Sequence, residues 1–130
     1  MRARNLKGLD QFESVPASPE SYMAVSGLSA IPTLSVVKVD SEGMAALATC
    51  NDADVYAACV AVKVDDSFVQ VAGSIVGLPL AVGPVYLGES GELTNTAPSV
   101  TGQTVYRIGH QTRCGAGLVL VLNIIPICRL

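Results

Sequence analysis

From Gly27 onward, short apolar runs rich in Val, Leu, Ile and Ala alternate with clusters of Gly, Pro, Asp, Asn and Ser. LSVVKV at 34–39 has the length and β-branched content of a strand. Asp40, Ser41, Glu42 and Gly43 follow as a turn, because Asp opens turns and Gly accepts positive φ. Residues 44–49 return as the hairpin partner, and 51–54 form a second polar break. VYAACVAVKV at 55–64 is apolar almost throughout, which predicts a central strand buried on both faces. Asp65, Asp66 and Ser67 turn the chain into FVQVA at 68–72. Gly73 and Gly77 then bracket Ser-Ile-Val, and Pro79 ends that run. Short strands are expected at 85–87, 92–94 and 105–108, with 88–91 as a hairpin loop and HQTRCGAG at 110–117 as a loop. LVLVLNII at 118–125 is the last long strand, with Pro126 as its stop and Arg129 as a gatekeeper. Uncharged and β-prone, it must be central or paired across a subunit boundary. Turn signals at this spacing, with no helical period of adequate length, predict an all-β fold: a small antiparallel β-sandwich or barrel.

Residues 1–25 differ. They carry two prolines and scattered charges, and sustain no period of two or 3.6. They are read as an extended N-terminal arm that orders on a neighbouring subunit, with 26–130 as the β-rich module. The arm's expected anchors are Leu6, Leu9, Phe12 and Tyr22. Arg2, Arg4 and Lys7 supply local positive charge suited to an acidic protein neighbour.

Composition sharpens this picture. The 130 residues suit one domain; half are hydrophobic, only 5% are aromatic and Trp is absent, so aliphatic side chains must build the core. Charged residues make up 15%, against roughly 25% in ordinary soluble domains. So little ionisable surface points to burial against other molecules and an obligate assembly. A net charge of −3 argues against nucleic acid as the partner of the whole chain. The most apolar run, 116–128, is too short for a helical membrane span and contains Asn123 and Pro126. No apolar stretch follows the basic N-terminus as in a secretory signal, so synthesis in a cytoplasm is expected. Cys50, Cys59, Cys114 and Cys128 show no zinc spacing and are expected as reduced, largely buried thiols.

His110 and Cys114 stand four apart, a spacing that would make a nucleophilic pair on a helix but not in a loop. The pairs Asp52/Asp54 and Asp65/Asp66 lack the spaced oxygen ligands of a calcium loop and read as turn caps. Gly73, Gly77 and Gly83 do not form a dinucleotide fingerprint. The expectation is a non-enzymatic protein with no catalytic residue, cofactor or metal.

Two stretches resemble a β-rich module of tailed-bacteriophage virion proteins. SGLSAIPTLSVVKVDSEGMAALAT at 26–49 is similar to its opening, and VAGSIVGLPLAVGPVYLGESGELTNTAPSVTGQTVYRIGH at 71–110 to its second half. The shared scheme is a VYL strand, a Gly-rich turn, an LT-x-x-AP segment and a V-x-x-IG strand. By position, Val85, Tyr86 and Leu87 would be a module strand, and Ala97 and Pro98 the ordered linker after it. Residues 1–25 and the four cysteines have no counterpart there. The resemblance implies capsid decoration (cement) proteins and related tail-fibre modules: β-structured, often trimeric and without catalysis. The expectation is therefore a decoration protein on the capsid surface of a virion, bound to the major capsid protein and to itself as a homotrimer, with neither nucleic acid nor membrane as partner. A minor tail, baseplate or fibre-tip protein is the alternative. A carbohydrate-binding domain is disfavoured by the scarcity of aromatic stacking platforms.

Overall fold

The computed structural model describes residues 22–130. In chain order the strands are β1 (Tyr22–Ala24), β2 (Val36–Val39), β3 (Ala45–Leu47), β4 (Cys59–Lys63), β5 (Phe68–Gln70), β6 (Ser74–Val76), β7 (Gly83–Leu87), β8 (Leu93–Thr94), β9 (Thr104–Cys114) and β10 (Gly117–Arg129). A 3-10 helical turn, Val55–Ala57, precedes β4. The fold is all-β, as the turn spacing predicts. Two five-stranded antiparallel sheets run in the orders β1-β5-β4-β2-β3 and β6-β10-β9-β7-β8.

The first sheet curls on itself. Beyond β1, at one edge, the chain reaches the opposite edge. There Ser26 N donates to Gly43 O (2.9 Å), and Ala45 N donates to Ser26 O (2.8 Å). Edge joined to edge makes a small half-barrel. Alternation along β2 and β4 then serves two cores at once. Val37 and Ala61 point inward with Leu28, Ala45 and Val69. Val36, Val60 and Val62 point outward and meet Val85, Leu87, Tyr106, Ile108, Leu120 and Leu122 of the second sheet. Each fully buried valine contributes roughly 1.5–3 kcal/mol by leaving water. The central-strand expectation for 55–64 thus holds from β4 onward. Its first residues form the 3-10 turn instead, buried only through Val55.

Lys63 breaks the apolar pattern of β4. It is 2% exposed and points into the half-barrel. Its Nζ donates to Leu28 O (2.7 Å) and Ile31 O, and pairs with Asp66 Oδ1 at 3.1 Å. All three ammonium protons therefore have acceptors, which offsets the cost of burying the charge.

β9 and β10 form a long hairpin that dominates the second sheet. Gly115 has φ +64°, as the first central position of a type II′ turn requires, and joins Cys114 to Gly117 across two residues. The loop expected at 110–117 is therefore the end of β9, the turn and the start of β10. Its polar side chains alternate along a strand rather than marking a break. Midway, Ile108 and Gly109 form a bulge against β7. A Cβ on Gly109 would lie 2.2 Å from Val121 O, so no other residue fits there without moving β10.

The Ser-Ile-Val run between Gly73 and Gly77 is a paired strand, β6, lying on β10 across Ser74↔Val121 and Val76↔Val119. Two further expectations are corrected. Pro126 does not stop β10, which runs through it to Arg129. Among the described residues that strand has no partner on its β6 side past Leu122, and an edge strand tolerates the missing N–H. Residues 22–25, assigned to the arm, belong to the body: Tyr22–Ala24 pairs with β5, and Val25 N donates to Ser67 O.

Candidate partner-binding surfaces

One face of the second sheet packs on the first; the other is open. Register fixes what lies on the open face, because directly paired residues in an antiparallel ladder share a side. Three rows cross it: Val76, Val119 and Thr112; Ser74, Val121, His110 and Pro84; Ile125, Arg107, Tyr86 and Thr94. Val76 is 73% exposed and Val121 46%, so these β-branched side chains meet water rather than protein. The signal was present in LVLVL, where Leu120 and Leu122 face the core while Val119 and Val121 alternate outward. Sequence reasoning identified the strand as a hazard but did not assign its faces.

Arg107 and His110 are the basic groups on this face. Among the described residues every Asp and Glu lies in a turn or loop, and Glu92 lines a pocket with Thr94 at the β8 end of this face. The rows thus carry Arg107 and His110, with the acidic residues confined to flanking turns and loops.

A second surface lies on the first sheet. Tyr22, Val64, Asp65 and Phe68 line a shallow groove of about 370 Å³. Tyr22 is held there because β1 pairs with β5, and Phe68 stands beside it opposite Ala24. Both rings are about half exposed. Asp65 shapes the rim: its Oδ1 accepts from Ser67 N and Phe68 N, both at 2.8 Å, as expected of a turn cap. Tyr22 is the one proposed anchor that the structure places. Arg2, Arg4, Leu6, Lys7, Leu9 and Phe12 lie outside the described residues.

The remaining candidate chemistry is structural in its geometry. Asp52 Oδ2 accepts from Thr49 N (3.1 Å) and meets Lys38 Nζ at 3.2 Å, while Asp54 Oδ1 meets the same ammonium at 3.0 Å. Burial pushes the Asp52 carboxyl up, but the Thr49 and Lys38 bonds outweigh it and hold it below the usual carboxylate range. The Asp54 hydrogen bond, with Asp52, raises Lys38 above its ordinary value against partial burial. His110 and Cys114 both lie on β9, where a four-residue step spans roughly 13 Å, so they form no pair. The four cysteines are free thiols. Only Cys50 is buried, where desolvation first, and then Glu89, pushes its thiol up. Cys59, Cys114 and Cys128 are exposed, contrary to expectation. Cys114 adjoins the hairpin turn, and Cys128 lies past the point where β6 covers β10.

Compared with protein families, with curated proteins and with solved structures, the chain matches none.

Proposed function

We propose that this chain is a non-enzymatic structural protein of a tailed-bacteriophage particle, a capsid decoration protein that binds the assembled head shell and copies of itself. The observation that carries this reading is the open face of the second sheet. It presents aliphatic rows to water in a chain with only 15% charged residues. Apolar surface of this kind marks an interaction site, and a β-rich face gives a rigid one. The resemblance to virion modules supplies the particle: the VYL motif is strand β7, and the V-x-x-IG motif lies in β9, the centre of the same sheet. In this reading residues 1–21, with Arg2, Arg4, Leu6, Lys7, Leu9 and Phe12, bind the major capsid protein, and the β-body contacts its own copies in a trimer.

Quantitative mass spectrometry of purified particles tests the placement. Hundreds of copies per particle are expected; a handful would assign the chain to the tail or baseplate instead. Deleting residues 1–21, which leaves β1 intact, should lower shell occupancy while the body keeps its melting temperature. Full occupancy after that deletion would remove the arm from the account.

A further inference from the structure

The two surfaces described above are unlike each other and complementary. The open face of the second sheet is aliphatic with Arg107 and His110. The groove on the first sheet is aromatic, from Tyr22 and Phe68, with Asp65 on its rim and Asp66, 77% exposed, next to it. A guanidinium is favoured both over an aromatic ring and beside a carboxylate. A two-fold contact through the open face would instead set Arg107 and His110 against their own copies.

We infer that the open face of one copy docks on the Tyr22–Phe68 groove of the next, so that self-association runs head to tail. This rests on the self-association in the proposed function and names the surfaces that perform it. Contacts between two different patches generate rings when the rotation closes. Arg107 supplies the charged contact, while Val121 and Val76 cover the aromatic rings. The occupant is a second copy because the chain carries both halves of the match. The competing occupant of the groove is the chain's own residues 1–21, which join the body at Tyr22.

Sedimentation velocity on the full chain reads the outcome. Wild type should sediment as an oligomer. Val121→Asp spoils the face and Phe68→Ala spoils the groove, and each should weaken self-association at least tenfold. Both side chains are exposed, so circular dichroism and melting should stay those of the native fold. Should either variant misfold, Val76→Asp and Tyr22→Ala replace them. The decisive step is mixing: Val121→Asp keeps a working groove and Phe68→Ala keeps a working face. Their equimolar mixture should recover a dimer and nothing larger. A two-fold contact, or one through other surfaces, gives no such recovery and overturns the inference, as does a wild-type chain that is monomeric. Phe68→p-benzoylphenylalanine in mixed isotopically light and heavy chains adds a direct readout. Light-to-heavy cross-links to peptide 114–129 are expected, and cross-links to residues 1–21 of the same chain would overturn the head-to-tail contact. A monomer that still binds purified heads would remove this contact and leave the decoration reading standing; a monomer that binds no head would remove both.

Discussion

The two sheets have the same number of strands and similar aliphatic content, yet they solve the problem of their second face differently. The first sheet rolls until Ser26 reaches β3, so β2 and β4 are buried on both sides. Its one inward-facing charge, Lys63, is tied to two carbonyls and a carboxylate. The second sheet is built on a long hairpin whose bulge at Gly109 re-aims β9 but does not close it. One face of that sheet stays wet, with Val76, Val121 and Ile125 upon it. Closure needs tilted, staggered strands and a chain that pairs edge with edge. A hairpin of 11- and 13-residue strands offers no such pairing and remains a platform. The inside of the half-barrel is thus filled by its own side chains, whereas the platform's outer face is exposed among the described residues. Substitutions inside the half-barrel should therefore act on folding and those on the platform's open face on association, with Gly109 as the exception that fixes the platform's shape.

That exception should give the largest effect. Gly109→Ala places a Cβ against the backbone carbonyl of Val121, which cannot rotate away as a side chain would. The β9–β10 ladder must shift, at a cost of about 3 kcal/mol or more. Urea unfolding should show a midpoint far below wild type; an unchanged midpoint would mean that the bulge does not hold the hairpin as described. Next comes Lys63→Met, which keeps the volume but strips the donor from Leu28 O and Ile31 O. Hydrogen bonds from charged donors are worth about 1.5–3 kcal/mol, and the desolvation saved offsets part of that. A loss near 2 kcal/mol is expected, with the 28–31 turn exchanging its amides faster than the second sheet does. On the open face Val76→Asp should change stability by no more than about 0.5 kcal/mol, measured by the same unfolding curves. A loss comparable to Lys63→Met would show that this face is already covered within the chain.

The same contrast decides what was legible in the sequence. Asp40 to Gly43 and Asp65 to Ser67 were readable as turns because their residues act locally: Asp40 Oδ1 accepts from Glu42 N and Met44 N, and Asp65 caps its own turn. β2 and β4 were readable from their aliphatic density. The roll of the first sheet was not, since it depends on Ser26 meeting β3, a contact no local pattern encodes. Lys63 was hidden inside an apolar run, and its two carbonyl acceptors lie more than thirty residues earlier. HQTRCGAG misled because polar residues on a solvent-facing hairpin look like a loop, although Gly115 between Cys114 and Gly117 carries the turn chemistry. Of the expected anchors, Tyr22 alone could be placed, and it proved to be a strand residue at the groove rather than part of an arm. The open face required register, which composition cannot supply.

The smallest effect expected concerns the rim of the first sheet. Asp52 titrates below its ordinary value when folded, so its contribution is present above the unfolded carboxylate pKa, near 3.9, and is lost as pH falls through the lower folded value. Asp52→Asn keeps an acceptor for Thr49 N–H but removes the charge that faces Lys38. At pH 6 the variant should melt slightly below wild type. On acidification through the lowered folded pKa the wild-type curve should fall toward it, because the native carboxyl is then protonated as well. Asp54 stays in both proteins and still pairs with Lys38, and its largely exposed position means salt screens that pair. The gap between the two melting curves should therefore be modest at low salt and smaller at high salt. The absence of any gap at pH 6 would mean that Asp52 acts only through the Thr49 hydrogen bond, which asparagine preserves. The rim would then be held by turn geometry alone, and Lys38 would contribute through its packing rather than its charge.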